Sequence, residues 1–163
     1  MDALVRFLQR LEKRIGPMPT DRFSETVLLA APPATLYAHL LDPHSYIGLS
    51  PLVVAVRDIR HAAGTTTYVA VERFRLGPLH WDNRIRVTLT AEIPDVRLIS
   101  HVVSPGAVRL TATVDLAATP DGATSLTEAI EVSSPSLLRG FVVKQTSSVQ
   151  RSRLAELARR FNR

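Results

Sequence analysis

Two glutamates occupy positions where the pattern of the chain asks for an apolar side chain. Along residues 65–75, Arg73 and Arg75 mark the outward positions, which turns Tyr68, Ala70, Glu72 and Phe74 to the other face. Along residues 123–133, Leu126, Glu128, Ile130 and Val132 alternate with Ser125, Thr127, Ala129 and Glu131, so Glu128 also joins an apolar row. A carboxylate in an apolar wall is costly to leave unpaired and holds its proton more tightly than in water. Such a group can orient a ligand hydroxyl or act as a general acid or base; it can equally be satisfied by a neighbour such as Asn83 or Tyr68, or sit at a wet cavity mouth. Asn83 belongs to the inward row Trp81, Asn83, Ile85, Val87, Leu89, and a loop with an even number of residues at Gly77-Pro78 sets it opposite Glu72. Two separate alternation arguments thus agree on Glu72.

His101 is the third candidate for proton transfer, and the alternation leaves its direction open. An even loop at Pro94-Asp95 turns Leu98, Ser100 and Val102 inward, whereas an even loop at Pro105-Gly106 turns Ile99, His101 and Val103 inward. Both hold only if a bulge intervenes. The remaining histidines, His39, His44, His61 and His80, fall at helix ends, in a turn or on an outward row, with no metal-ligand spacing among them. The chain has no cysteine, which excludes thiolate metal sites, disulfides and cysteine nucleophiles. Its seven glycines form no phosphate-cradling loop, and "GLSPL" lacks the closing glycine of a nucleophile elbow. No metal and no cofactor is expected.

The elements that position these residues are legible from punctuation. Residues 3–15 carry Leu4, Phe7, Leu8, Leu11 and Ile15 at helical spacing, and "GPMP" ends that amphipathic segment. "FSETVLLA" reads as a strand that stops at Pro32-Pro33, where proline suits the first turn of a helix bearing Leu36, Tyr37, Leu40 and Leu41. Asp42-Pro43 ends that helix, because a residue preceding proline avoids the helical region. Turns at "HAAG", "LGPL", "IPD", "SPG" and "TPDG" then separate six strand-like runs, about 51–60, 65–75, 80–91, 96–103, 107–118 and 123–133. Short connections make them antiparallel. Residues 108–116 place Val108, Leu110, Ala112, Val114 and Leu116 inward. After "SSPS", with Ser134 or Ser136 as cap, residues 136–161 give the longest helical pattern, along the spine Leu138, Phe141, Val142, Val149, Leu157 and Phe161. Gln145 and Ser148 lie on its polar edge.

At 163 residues and 45% apolar composition the chain suits one core, read as an N-terminal helix and linker (1–20) followed by one α+β domain (21–163). Its seven-stranded antiparallel sheet must bury a face, and only the long helix can cover it. A curled sheet around a helix leaves space between them.

The stretch "APPATLYAHLLDPHSY" at residues 31–46, with Pro33, Tyr37, Leu40, Leu41, Asp42, Pro43 and Tyr46 in place, resembles the superfamily of START-related lipid-binding domains and polyketide cyclases. The strand series and "DGATSLTEAIEV" running into a terminal helix extend the resemblance over residues 23–161. It implies the helix-grip fold: a curved sheet of seven strands wrapped around the C-terminal helix, here with an extra N-terminal helix. It also implies a hydrophobic ligand such as a lipid, isoprenoid, quinone or polyketide, with no fixed chemistry.

The expected function is therefore binding or transfer of a hydrophobic small molecule. Wall residues would be Tyr68, Phe74, Trp81, Ile85, Leu110, Ala112, Ile130, Phe141, Val142 and Val149, with Glu72, Asn83, Glu128 and Gln145 orienting the ligand. The alternative is a cyclase or dehydratase in which Glu72, Glu128 or His101 moves a proton. A third reading is an interaction protein working through its basic surface and first helix. The net charge of +5 invites nucleic acid, but the arginines are scattered among acids and aromatics make up only 6%, with no stacking motif, so no nucleic-acid partner is expected. No segment reaches the length of a membrane span or resembles an export signal, which makes a cytoplasmic protein the expectation. Peripheral membrane contact, and a monomer or homodimer, stay open.

Overall fold

A computed structural model describes residues 18–163. The expected helix at 3–15 lies outside the described residues. In chain order the elements are β1 (Thr20–Leu29), α1 (Pro33–Leu41), a single 3-10 turn (Pro43–Tyr46), β2 (Val53–Ala62), β3 (Thr65–Leu76), β4 (Leu79–Ile93), β5 (Arg97–Ser104), β6 (Val108–Ala118), β7 (Thr124–Ser133) and α2 (Arg139–Phe161). The strands form one seven-stranded antiparallel sheet in the order β1-β7-β6-β5-β4-β3-β2. Six strands run as a meander, and β1 reaches across to pair with the last of them.

The proline-rich stretch does in space what its chemistry dictates. Pro32 is the extended N-cap of α1 and Pro33 supplies its first residue, so the missing amide hydrogens fall where a helix has no use for them. Asp42 is extended, as a residue before proline must be, and its Oδ1 accepts from the His44 amide at 2.9 Å to start the 3-10 turn. Leu36, Tyr37 and Leu40 are buried under the sheet. The insert closes one end of the concave face.

Turn geometry fixes which side chains point into that face. Leu76 pairs with Leu79 across a two-residue loop, and Glu72 stands opposite Asn83. The β4–β5 loop has three residues with Asp95 left-handed at φ 59, but a bulge between Ala91 and Ile93 restores the parity of an even loop. The β5–β6 loop also has three residues, because Ala107 as well as Gly106 is left-handed. Leu98, Ser100 and Val102 therefore face inward and His101 faces out. The sequence expectation of a five-residue loop at 119–123 matches the pairing of Ala118 with Thr124, with Gly122 at φ 82.

The long helix begins later than its sequence pattern suggests. Residues 135–138 form a turn, with the Leu138 amide bonded to the Pro135 carbonyl at 2.8 Å, and α2 starts at Arg139 with no side-chain cap. Ser134 does not cap it; it is buried and its hydroxyl has no partner among the described residues. Leu138 and Phe141, expected on the apolar spine, are exposed, while Val142, Gln150, Leu154 and Leu157 form the buried stripe.

Leu154 and Leu157 enter the larger apolar cluster with Leu29, Leu36, Leu40, Leu89, Leu98 and Leu126. Val142 joins a smaller one with Ala112, Ile130 and Val132. At the far end of α2, Asn162 acts as a strand substitute: its Oδ1 accepts from the Ala30 amide at 2.8 Å and its Nδ2 donates to the Leu28 carbonyl at 3.0 Å. This ties the helix end to the edge strand β1. Asn162→Ala should lower stability by about 1 kcal/mol in urea denaturation and speed amide exchange in the last turn of α2; unchanged exchange there would show that the apolar contacts alone hold the helix end.

Candidate functional site

A cavity of about 350 Å³ lies between the concave face of the sheet and α2. Five of the strands supply alternating rows to its wall: Tyr68, Ala70, Glu72 and Phe74 from β3; Trp81, Asn83, Ile85 and Val87 from β4; Ser100, Val102 and Ser104 from β5; Val108, Leu110, Ala112 and Val114 from β6; Leu126, Glu128 and Ile130 from β7. The helix contributes Phe141, Val142, Gln145, Val149 and Arg153. All the residues named from sequence as wall or orienting groups are brought together here. His101 is not: it is exposed on the convex face, with Nδ1 3.1 Å from Thr111 Oγ1, so the inward alternative for it is not the one realised.

The polar groups fall in two stations. On β3, Tyr68 and Glu72 are four residues apart on one face, about 13 Å along the strand, with Ala70 between them. Near the mouth, Asn83 Nδ2 bridges Glu72 Oε2 at 3.3 Å and Ser104 Oγ at 3.2 Å. Burial raises the Glu72 pKa above the usual glutamate value, and the Asn83 hydrogen bond opposes this only in part. Phe74 and Trp81 stack with centroids 5.3 Å apart at the opening, where Phe141 faces them from the helix.

The deep station is only half visible in the sequence. Glu128 is buried and accepts from Arg153 Nη2 at 2.5 Å through Oε1, while its backbone carbonyl accepts from Gln150 Nε2 at 3.0 Å. Its second oxygen, Oε2, has no partner among the described residues. Burial works against the Arg153 charge, but attraction to Glu128 and their hydrogen bond outweigh it, and the guanidinium stays protonated. Tyr46 and Tyr68 flank the pair with ring centroids 6.5 Å apart. Burial pushes the Tyr46 phenol up to about 12 and raises Tyr68 as well, so both are neutral hydroxyls at physiological pH. Tyr46 donates to the Leu40 carbonyl at 3.0 Å.

Arg153 and Tyr46 are the ionisable residues of the site that the sequence reading missed. Arg153 had a usable signal, since it lies four residues after Val149 and four before Leu157 on the stripe that α2 buries. Tyr46 was noted only as part of the motif after the first helix. Serines 100 and 104 followed from the same parity that decided His101.

The arrangement can enclose an elongated apolar molecule, present neutral hydroxyls and a buried ion pair to one end, and offer a carboxyl group and an amide to the other. Among the described residues no group of three His, Asp or Glu side chains is placed to hold a metal ion.

The chain belongs to the polyketide cyclase/dehydrase and lipid transport family, whose model matches residues 20–162. It is similar in structure to the Zhui aromatase/cyclase from Streptomyces sp. R1128, at a TM-score of 0.66 and 15% identity over 87% of this chain and 96% of that one. A protein from Thermus thermophilus superposes at a TM-score of 0.68 with 17% identity over 87% of this chain and 96% of its own. The di-domain aromatase/cyclase BexL from the BE-7585A biosynthetic pathway gives 0.68 and 19% identity over 96% of this chain, which spans 58% of BexL. These likenesses establish the helix-grip fold. No curated protein matches the chain.

Two measurements probe the stations. Arg153→Met strands the Glu128 carboxylate in a dry wall and should cost about 3 kcal/mol or more in denaturant unfolding, much of it regained when Glu128→Leu is added. At the other station the folded protein binds the Glu72 proton more tightly than the unfolded chain. Glu72 therefore detracts from stability as pH rises from the ordinary glutamate value through its raised folded value, and detracts nothing below both. Glu72→Gln should stabilise the fold at neutral pH, with the gain vanishing below about pH 4; a gain independent of pH would contradict this.

Proposed function

We propose that this chain captures a predominantly apolar small molecule in the cavity between the sheet and α2, and that it holds or transfers the molecule without chemistry. The observation that carries this reading is the lumen of about 350 Å³, walled by aliphatic and aromatic side chains and opening beside Phe74, Trp81 and Phe141. Its polar groups serve orientation. The buried arginine is neutralised by Glu128, the phenols of Tyr46 and Tyr68 keep their protons, and His101 is on the outside of the sheet. A ligand about 13 Å long would reach from the Tyr68 level to the Glu72 level. The family's description as cyclases, dehydrases and lipid carriers supports a hydrophobic guest and leaves its chemistry unspecified.

A second reading, of the cyclase or dehydratase type, has one observation in its favour. Glu72 faces the lumen and burial makes it hold its proton more tightly than a free glutamate, so in its protonated form it can protonate a bound carbonyl or hydroxyl and take the proton back. Several neighbours of similar fold are named as aromatase/cyclases.

Native mass spectrometry of the purified protein should reveal a bound hydrophobic species, or a stoichiometric complex with an added environment-sensitive fluorophore. Ala112→Trp fills the lumen and should weaken that complex about tenfold or more, since losing about 60 Å² of apolar contact at about 25 cal/mol/Å² is worth that factor. Equal affinity in the filled variant would place the guest elsewhere and remove this reading. On any substrate that is turned over, Glu72→Gln should abolish the rate under the second reading and leave binding intact.

A further inference from the structure

The meander sorts its turns onto two ends of the molecule. The β3–β4 hairpin, the β5–β6 turn and the β7–α2 connection surround the cavity mouth, and the β2–β3, β4–β5 and β6–β7 turns lie at the opposite end. The mouth carries an unusual amount of bare apolar surface. Leu76 and Leu79 at the hairpin tip are each 68% exposed and Trp81 is 51% exposed; across the opening Leu137 is 94% and Phe141 61% exposed. Bare apolar side chains gathered around one opening of a folded chain mark a contact.

Basic side chains surround the same opening. Arg75, Arg84, Arg109 and Lys144 are exposed towards the mouth, and none of them makes an ion pair with a described residue. The acids at that end are already matched, Asp82 by Arg73, Asp21 by Arg139 and Glu131 by Arg22. At the opposite end the exposed acids Asp95 and Asp121 are accompanied by the exposed arginines Arg60, Arg159 and Arg163, and Glu92 lies 3.8 Å from Arg97. An anionic plane would attract the basic side chains around the mouth before any apolar contact forms.

We propose that the mouth is a membrane-docking surface: the hairpin tip and the Leu137–Phe141 shoulder insert into the headgroup region of an anionic bilayer, held by the surrounding arginines and Lys144. The opening of the cavity then faces the acyl layer, and an apolar guest passes between lumen and bilayer without crossing water. Insertion is shallow, through side chains at turns that need no refolding. The docking rests on the surface and not on the guest, so it stands apart from the cavity reading.

Trp81 is the sole tryptophan of the chain and sits on this rim, which makes it an intrinsic reporter. The full chain is mixed with vesicles of phosphatidylcholine alone, and of phosphatidylcholine and phosphatidylglycerol in equal parts. Expected are co-sedimentation with the anionic vesicles only, a blue shift of Trp81 emission on binding, and loss of both as salt is raised. The double variant Leu76→Ser/Leu79→Ser alters only exposed side chains and should partition about tenfold more weakly, as should Leu137→Ser with Lys144→Glu. Ala112→Trp, which blocks the lumen, should dock as the unaltered chain does, though there the added indole requires co-sedimentation as the readout. Absence of vesicle binding overturns the proposal. So does binding with no Trp81 shift, or binding that the rim variants leave unchanged, since the bilayer would then meet another face. A concentration-dependent dimer in sedimentation that the rim variants dissociate would assign the surface to a second copy and overturn it too.

Discussion

The helix is tied to the sheet at residue 128, and the rest of the site follows from that attachment. Gln150 takes the backbone carbonyl of Glu128 and Arg153, nearly one turn further on, takes its side chain. Two consecutive inward positions of α2 are thus fastened to one point on β7. Beyond it Leu154 and Leu157 are driven into the larger apolar cluster and Asn162 closes onto β1. Before it, Arg139 pairs with Asp21 of β1 and Val142 packs with Ala112, Ile130 and Val132, while Gln145 and Val149 face the lumen. A buried ion pair adds little net stability compared with apolar packing, but it tolerates few alternative registers. Its role here is to fix the register of α2 against β7.

The ionisable groups of the wall are tempered by their neighbours. The phenols of Tyr46 and Tyr68 keep their protons, Arg153 and Glu128 compensate each other, and burial makes Glu72 hold its proton more tightly than a free glutamate. Hydrogen-bonding groups remain at both ends of the lumen to distinguish one guest from another.

Much of the fold was legible because alternation on a half-buried strand allows only one answer. A slip of one residue would have sent Tyr68, Glu72 and Phe74 to solvent and Arg73 and Arg75 inside, so the two arginines alone decide the row. The Gly77-Pro78 turn could be counted since its left-handed residue is a glycine. His101 could not be settled this way. Its direction depends on Ala107 and Asp95 adopting positive φ and on a bulge near Glu92; aspartate visits that region more readily than most residues, but alanine does not announce it, and nothing in the sequence marks the bulge. The start of α2 is hard to place for a related reason: Leu137, Leu138 and Phe141 continue a helical stripe, but a stripe does not say whether anything lies opposite it. Arg153 illustrates the same limit from the other side, since whether Arg151 or Arg153 turns inward depends on the rotation of the helix against a sheet. The size of the lumen was out of reach, being set by the distance at which α2 stands off.

The pairing of β1 with β7 has a consequence for how the chain must come together. Thr20 bonds opposite Ser133 and Leu29 opposite Thr124, so the first strand waits until about a hundred residues have followed it. Every other strand finds its partner next in line. On a growing chain the hairpins from β2 onward can zip sequentially, while β1 and the proline-rich insert behind it stay unpaired. Joining the two ends is then the step with the largest loop-closure entropy. Until it happens the concave face has one open side, and any guest that needs all its walls must arrive after synthesis is nearly complete.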